Sequence, residues 1–253
     1  MDDVSVLILA GQREGVVDPL CAAAGIERKA VLPINGRPMI DYVLDALRNA
    51  GLKRPFHVSG FGAEYNMELA QSPSAAGPAG SALAALEAGI TTPVLLTTCD
   101  HPLLTAEMVK AFIVAAKASG ADFCVGLAEK SVIDPAYPHV KRTYLNFKDK
   151  STSGCNLFYI ANDAGLAAIR FWQSAQHHRK NPLKLASQFG VGIFFRYLFG
   201  QLTLDGAFKY ASKRMKISAK PVLLPFAEAA IDVDKPSDKT LVEEILKARD
   251  ARG

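Results

Sequence analysis

The sequence lacks paired cysteines, long apolar runs and a basic leader. Its four cysteines lie far apart with no Cys-x-x-Cys pair, which argues against a zinc site and a disulfide framework. No stretch approaches the roughly 20 apolar residues that a membrane-spanning helix needs; the nearest, 191–200, contains Arg196. The chain opens with Met1-Asp2-Asp3, which is acidic where a secretory signal is basic. We therefore expect a cytoplasmic protein that does not span a membrane.

The composition is that of an ordinary globular protein. The 253 residues are 49% hydrophobic and 21% charged, which excludes a disordered or fibrous chain. No stretch has the composition of a linker between two domains. We therefore expect residues 1–253 to form a single domain.

Charge is distributed unevenly along the chain. The segment 178–220 contains nine Lys and Arg residues and one acidic residue, Asp205, so its net charge is +8 and that of the remainder is −4. The same segment contains seven aromatic residues. Basic and aromatic residues together indicate an anionic partner, either a phosphorylated substrate or an anionic membrane surface; nucleic acid is not expected. The alternative is a helical cap with inward-facing aromatics and solvated lysines.

Hydrophobic patterns alternate between those of buried strands and those of amphipathic helices. Strands are predicted at 4–10, 56–59, 93–98, 122–127, 140–147, 156–160, 222–224 and 230–233. Helices are predicted around 39–47, 83–90, 105–120, 164–176 and 236–251, with three more helical stretches in the basic segment. This alternation is typical of parallel strands joined by helical crossovers, which predicts a three-layer α/β architecture.

The first predicted strand ends in a glycine-containing turn, Leu9-Ala10-Gly11-Gln12-Arg13. Ligands of open parallel sheets bind beyond the carboxyl ends of the strands. A glycine there permits a tight turn whose N–H groups converge on a phosphate. The turn matches neither a Walker loop nor a dinucleotide-binding fingerprint, and for Gly11 taken alone an ordinary turn is the favoured explanation.

Four motifs occur in an order that matches a known family. They are Leu9-Ala10-Gly11 followed by Lys29 and Gly36-Arg37-Pro38-Met39; Gly77-Pro78-Ala79-Gly80-Ser81; Cys99-Asp100-His101-Pro102; and Ile231-Asp232-Val233-Asp234-Lys235-Pro236-Ser237-Asp238. Together they resemble the nucleotidyltransferases of the molybdenum cofactor guanylyltransferase type. The resemblance implies a three-layer α/β/α sandwich with a Rossmann-like, mostly parallel sheet of the glycosyltransferase-A type, in which 178–220 is a helical insertion. It also implies Mg²⁺-dependent transfer of a nucleoside monophosphate from a nucleoside triphosphate to a phosphorylated acceptor, with release of pyrophosphate.

The resemblance assigns charged residues to the triphosphate and the metal. Bringing two phosphates together requires neutralisation of their charge, a role that Lys29 and Arg13 would fill. Asp100 follows a buried strand and would hold Mg²⁺, a cation that prefers oxygen ligands. The second metal ligand is Asp232 or Asp234, which alternate on a predicted strand so that only one reaches the site. Asp232 is the slightly preferred choice.

The remaining assignments concern the nucleotide and the acceptor. The resemblance implies nucleotide contacts from the first strand end and from a base-binding loop, at Leu9, Ala10, Gly11, Gln12, Lys29, Gly77, Gly80 and Ser81. Asn156 is a candidate acceptor ligand, and a buried asparagine satisfied by the backbone is the alternative. Cys99 and His101 need not react, and we expect them to be packing and rim residues.

The sequence departs from the family pattern in the phosphate loop. Gln12 replaces the second glycine of the family, and about six additional residues separate Gly11 from Lys29. The phosphate site must therefore be reshaped, and Arg28 is an alternative to Arg13. Three other interpretations remain: a non-catalytic relative, a membrane-surface or partner-binding module, and a sugar-nucleotide glycosyltransferase. The last usually carries Asp-x-Asp at a mid-sheet strand end, whereas here that motif occurs only at 232–234.

Overall fold

The computed structural model describes residues 1, 3–12, 18–140, 142–178 and 190–251. The strands within these residues are β1 (Ser5–Leu9), β2 (Pro33–Ile34), β3 (Arg37–Pro38), β4 (Phe56–Ser59), β5 (Leu69–Ser72), β6 (Val94–Thr98), β7 (Phe123–Glu129), β8 (Leu145–Asn146), β9 (Ser151–Ile160) and β10 (Ala219–Leu223). The helices are α1 (Pro19–Ala24), α2 (Met39–Asn49), α3 (Gly77–Glu87), α4 (Ala106–Ser119), α5 (Lys130–Ala136), α6 (Leu166–His178), α7 (Val191–Leu198), α8 (Leu204–Met215) and α9 (Pro236–Asp250). Short 3₁₀ turns occur at Lys29–Val31, Ala63–Tyr65, Asp163–Gly165 and Ala227–Ala230.

The central sheet is mostly parallel. Its strand order is β10-β7-β9-β6-β1-β4-β5, and β8 pairs with β9. Strand β1 is parallel to β4 and β6, β5 is parallel to β4, and β10 is parallel to β7. Only β9, antiparallel to both β6 and β7, and its hairpin partner β8 break this pattern in the described part of the sheet. The carboxyl ends of β1, β4, β6 and β7 therefore lie at one edge, where a ligand is expected.

Helices cover both faces of the sheet. On one face α2 and α4 pack Leu44 and Phe112 against the strands, and on the other α3 and α6 pack Leu86 and Ile169. Strands β1 and β6 are buried between these layers, which explains their continuous apolar sequences. The three-layer α/β/α sandwich predicted from the sequence is therefore confirmed.

A third, smaller hydrophobic cluster lies under the C-terminal helix. There α9 contributes Val242 and Leu246, which pack with Leu32, Met39 and Val233. This cluster joins the segment after α1 to the segment before α9. It thereby brings two stretches from opposite ends of the chain to the same edge of the sheet.

Some predicted elements differ from the structure. The predicted strand at 140–147 is wrong except for β8, and the predicted strand at 230–233 is instead an irregular segment after a 3₁₀ turn. Its apolar residues Ile231 and Val233 are buried under α9 rather than in the sheet. Strand β5, which pairs with β4, is not predicted from the sequence. Two of its four residues, Gln71 and Ser72, are polar and leave little hydrophobic signal.

The described part of the basic insertion, 190–220, contains two helices, and its last two residues begin β10. Helices α7 and α8 lie within 178–220, while part of this predicted insertion, 179–189, lies outside the described residues. In the described ranges, no helix combines the length and apolarity needed to cross a bilayer.

The ends of β1 and β4 approach each other at two glycines. Gly60 has φ +80°, and a Cβ atom there would overlap Gly11 Cα and lie 2.7 Å from Gly11 N. Sequence reasoning emphasised Gly11, but a Cβ at Gly11 would lie 3.7 Å from Gly60 Cα, an ordinary contact. The position that requires glycine is therefore Gly60.

We predict that Gly60→Ala lowers the free energy of unfolding by more than 2 kcal/mol. The left-handed backbone alone costs about 1–2 kcal/mol, and the overlap with Gly11 adds to it. Gly51→Ala is the matched control, because Gly51 has φ +77° but no atom within 4 Å of an added Cβ. Urea denaturation of both variants measures the difference, and equal losses would show that the close approach is not costly.

Candidate active site

Lys29 lies between two carboxylates at the carboxyl edge of the sheet. Its Nζ donates to Asp100 Oδ2 at 3.1 Å and to Asp234 Oδ1 at 3.0 Å. Lys29 opens the 3₁₀ turn after α1, Asp100 follows β6, and Asp234 precedes α9. The structure therefore brings together three of the residues that the sequence analysis singled out, from three distant segments.

The ammonium group of Lys29 is held in its charged form. Burial lowers its pKa, but the negative charges of Asp100 and Asp234 outweigh burial and hold the pKa above its usual range. The lysine side chain is 14% exposed, whereas that of Asp234 is 68% exposed. One cation and two carboxylates give the cluster a net charge of −1, so it has capacity for additional positive charge.

Asp100 has an oxygen atom available for a ligand. Its Oδ2 accepts from Lys29, while Oδ1 is buried and has no hydrogen-bond partner among the described residues. A buried carboxylate oxygen is costly to leave unpaired, so such an atom indicates a missing partner. A cation bound to the cluster would satisfy it.

Asp234 is positioned by a buried carboxylate on α9. Asp238, 6% exposed, accepts through Oδ2 from the backbone N of Asp234 and the backbone N of Lys235, each at 3.1 Å. In addition, Val233 N donates to Asp100 O at 2.9 Å. The backbone of Asp100 is thus bonded directly to the residue before Asp234, which fixes the distance between Asp100 and Asp234.

Asp232 takes part in a separate network. Arg142 Nη2 donates to its Oδ1 at 2.7 Å, and Asn156 Nδ2 donates to its Oδ2 at 3.1 Å. Burial raises the pKa of Asp232, but the charge and hydrogen bond of Arg142, with the Asn156 bond, hold it below its usual range. Asp234, and not the slightly preferred Asp232, therefore contacts the Lys29 cluster. The sequence reasoning missed Arg142, a lone arginine in an irregular segment with no motif around it.

The end of β1 is tied to its neighbouring strands and to the lysine segment. Ala10 N donates to Ser59 O at 2.9 Å, and Cys99 N donates to Leu9 O at 3.0 Å. With its amide oriented to satisfy both atoms, Gln12 donates to Glu27 O at 2.6 Å and accepts from Lys29 N at 3.1 Å. Gln12, which replaces the family glycine, therefore holds the backbone of Lys29.

The structure describes one of the two arginines that are candidates for binding the triphosphate. Arg13 lies outside the described residues. Arg28 donates from Nη1 to Gly60 O at 3.5 Å, so its side chain lies over the end of β4. Arg28 is therefore placed at the edge of the sheet that carries Lys29.

The glycine-containing loop opens α3, and α6 covers it. Gly77 has φ +76°, and an added Cβ would lie 3.1 Å from Gln176 Nε2. Ala79 N donates to Gln176 Oε1 at 3.4 Å.

Ser81 closes the loop, because its hydroxyl accepts from the backbone N of Ala75 and donates to the carbonyl of the same residue. A Cβ at Gly80 would lie 3.4 Å from Gln173 Nε2, so two glutamines of α6 that carried no sequence signal border this loop.

Cys99 and His101 are both buried, at 5% and 1% exposure. Cys99 is a packing residue, as expected, and burial raises the pKa of its thiol. The expectation that His101 lies at the rim is wrong. Its Nε2 lies 3.3 Å from Glu228 O, and burial lowers the pKa of the imidazole.

The donor set of the cluster fits Mg²⁺ bound together with a phosphorylated ligand. The described residues contain no group of three or more His, Cys, Asp or Glu side chains that could hold a metal. Mg²⁺ is commonly held by one or two carboxylates, with substrate phosphates and waters completing its coordination. Asp100, with its unpaired Oδ1, and Asp234 meet that requirement.

The mostly parallel sheet gathers a lysine, two carboxylates and glycine turns at its carboxyl edge. This arrangement is typical of α/β proteins of the nucleotide-binding class. A family model described as the MobA-like NTP transferase domain matches residues 22–150. The chain belongs to this family.

Solved structures show the same fold. A structure described as a hypothetical transferase from Thermus thermophilus is 29% identical, with a TM-score of 0.78 over 93% of this chain and 99% of that one. The 2-C-methyl-D-erythritol 4-phosphate cytidylyltransferase from Thermus thermophilus is 16% identical, with a TM-score of 0.55 over 97% and 99%. Molybdopterin-guanine dinucleotide biosynthesis protein A from Archaeoglobus fulgidus is 12% identical, with a TM-score of 0.51 over 97% and 100%. No curated protein matches the chain.

We predict that Asp238→Ala lowers the free energy of unfolding by about 1–3 kcal/mol, because it leaves two backbone N–H groups without their acceptor. Asp238→Asn keeps one side-chain carbonyl oxygen and should lose less. Thermal denaturation of the two variants measures the order. A larger loss in Asp238→Asn would contradict the positioning of Asp234 by hydrogen bonds to this side chain.

Proposed function

We propose that this protein is a Mg²⁺-dependent nucleotidyltransferase. It transfers a nucleoside monophosphate from a nucleoside triphosphate to a phosphorylated small-molecule acceptor. An oxygen of the acceptor phosphate forms a bond to the α-phosphorus, and the bond between that phosphorus and the bridging oxygen breaks, so that pyrophosphate leaves with the electron pair. The observation that carries this proposal is the Lys29–Asp100–Asp234 cluster at the carboxyl edge of the sheet.

Lys29 supplies a permanent positive charge in this mechanism. Its raised pKa keeps it protonated, so it acts as a point charge toward triphosphate oxygens and not as a base. Asp100 and Asp234 would hold Mg²⁺, which when bound supplies positive charge to the phosphates. Lys29, which lies between these two carboxylates, would neutralise charge on the transferring phosphate. Because an acceptor phosphate is already ionised at neutral pH, the reaction requires no side-chain nucleophile.

The remaining assignments follow the same edge of the sheet. The turn after β1, from Leu9 to Gln12, and the loop that opens α3 would contact the nucleotide through backbone groups. Ala10 N is bonded to Ser59 O and Ala79 N to Gln176 Oε1, so these two amides would first have to exchange partners. Gly77 supports this role because its positive φ lets the chain turn into the helix. Asn156 uses Nδ2 on Asp232 and would contact the acceptor through Oδ1. Arg142, which is paired with Asp232, borders this part of the site.

The geometry does not favour a sugar-nucleotide glycosyltransferase. In that class a metal is held by an Asp-x-Asp motif, and the motif of this chain is divided between two networks. Asp234 pairs with Lys29, while Asp232 pairs with Arg142 and Asn156. The two carboxylates therefore do not converge on one cation.

We predict that Lys29→Met and Asp100→Ala each lower kcat by about 10²–10³. Lys29→Met removes a positive charge from the transferring phosphate, and Asp100→Ala removes a ligand of the Mg²⁺ that would stabilise it. The assay is pyrophosphate release from each of the four nucleoside triphosphates with a panel of acceptor phosphates and Mg²⁺. Lys110→Met, on an exposed position of α4, is the control and should retain wild-type activity. Wild-type rates in Asp100→Ala would remove Asp100 from the metal site.

A second prediction tests whether Asp232 or Asp234 is the metal ligand. Asp234→Ala should raise the Mg²⁺ concentration required for half-maximal activity at least tenfold, since it removes a carboxylate from the cluster. Asp232→Ala should leave that concentration unchanged and lower the free energy of unfolding by about 3 kcal/mol, because it leaves Arg142 without its counter-charge. Mg²⁺ titration and denaturant unfolding of both variants decide between them. The reverse pattern would make Asp232 the metal ligand.

A further inference from the structure

Strand β9 is irregular beside the candidate site. Its pairing with β7 shifts between Val125 and Leu127, so that three residues of β9, 155–157, lie opposite one residue of β7. Asn156, in the middle of these three, has φ +50°, a left-handed conformation that is uncommon for residues other than glycine. Bulges and strained backbone of this kind are concentrated at functional sites, where they re-aim a side chain. The distortion of β9 is therefore centred on Asn156.

The side chain of Asn156 meets Asp232 and Arg142, which retain unused hydrogen-bonding groups. Asn156 Nδ2 donates to Asp232 Oδ2 at 3.1 Å, and Arg142 Nη2 donates to Asp232 Oδ1 at 2.7 Å. Arg142 Nε is buried and has no hydrogen-bond partner, and Asn156 Oδ1 accepts no bond within the described ranges. A buried donor without a partner is costly, so it indicates a ligand that supplies the acceptor.

These three side chains lie on the opposite side of Asp100 from the glycine turns after β1 and β4. Strand β6, which is followed by Asp100, lies between β1 and β9 in the sheet. Because β9 is antiparallel to β6, Asn156 lies beside the carboxyl end of β6. Val233, the residue after Asp232, donates from its backbone N to Asp100 O at 2.9 Å. A molecule that reaches Asp100 from the β9 side would therefore contact Arg142 and Asn156.

The chemistry of the three side chains favours hydroxyl groups as their ligands. The charge of Arg142 is compensated by Asp232, so the pair is neutral. A phosphate group bound here would lie against the carboxylate of Asp232, which is unfavourable. A hydroxyl group is uncharged and both donates and accepts. Neighbouring hydroxyl groups can therefore accept from Arg142 Nε and donate to Asn156 Oδ1.

We propose that Arg142, Asn156 and Asp232 bind hydroxyl groups of the acceptor. The acceptor is then a phosphate ester with neighbouring hydroxyl groups, such as a polyol phosphate or a sugar phosphate. This inference rests on the proposed function, because it assigns the part of the acceptor that lies beyond its reacting phosphate. Selectivity depends on Arg142, since an acceptor without hydroxyl groups leaves its Nε unpaired.

The test is isothermal titration calorimetry of the full chain with Mg²⁺ and a mixture of the four α,β-methylene nucleoside triphosphates, which cannot undergo the transfer. The hydroxylated probes are glycerol phosphate, ribitol phosphate and glucose phosphate; methyl phosphate and a hydroxymethylpterin phosphate lack neighbouring hydroxyl groups. We expect at least one hydroxylated probe to bind at least tenfold more tightly than methyl phosphate.

Two variants assign this selectivity to the proposed residues. Arg142→Lys keeps a positive charge beside Asp232 but removes Nε. It should bind the preferred hydroxylated probe at least tenfold more weakly and methyl phosphate within twofold of the wild type. Asn156→Gly should show the same pattern, and glycine adopts the left-handed backbone without strain.

Arg48→Lys is the matched control, because Arg48 is also paired with carboxylates, those of Asp45 and Glu68. It should bind every probe like the wild type, and melting temperatures check that all variants are folded. Equal affinity of the wild type for methyl phosphate and the hydroxylated probes, or no binding of any probe, would overturn the proposal. So would unchanged affinities in Arg142→Lys, or tightest binding of the pterin phosphate.

Pyrophosphate release separates this proposal from the proposed function. Selective binding of hydroxylated probes without pyrophosphate release from any triphosphate would contradict the transferase activity and retain the hydroxyl site. Equal rates of pyrophosphate release with methyl phosphate and with the hydroxylated probes would retain the transferase activity and exclude the hydroxyl site.

Discussion

The interaction on which the candidate site depends is the ion triad formed by one ammonium and two carboxylates. Lys29 is 71 residues from Asp100 and 205 residues from Asp234 in the sequence, so the triad forms only when the fold is complete. Partly buried charges are costly unless they are paired, and each member here compensates another. The same arrangement leaves one excess negative charge and one unpaired buried oxygen, Asp100 Oδ1. In the proposed function, Mg²⁺ and the triphosphate would supply the missing positive charge and the missing partner of Asp100 Oδ1.

The groups around the triad do not take part in it but hold it in place. Asp238 binds the backbone N–H groups of Asp234 and Lys235, and Gln12 binds the backbone on both sides of Arg28. Asp232 is neutralised by Arg142 and therefore does not compete for Lys29. In the proposed mechanism, positioning through the backbone would let the three charged side chains exchange partners with a bound ligand.

The family match and the complete site do not cover the same residues. The match spans residues 22–150, which include Lys29 and Asp100 but not Asp234. Helix α9 and its small hydrophobic cluster bring Asp234 to the site from beyond this region. The C-terminal part of the chain thus completes the triad.

The sequence by itself determined the architecture, because the buried strands and amphipathic helices carry their periodicity locally. It also determined which residues could form the site, since Lys29, Asp100 and the late aspartates stand in recognisable motifs. It did not determine that Asp234 contacts Lys29 while Asp232 contacts Arg142, because both aspartates have the same local signal. Nor did it reveal the burial of His101, the close approach at Gly60 or the glutamines of α6 beside Gly77. These features depend on which distant segments pack together, and only the tertiary structure decides that.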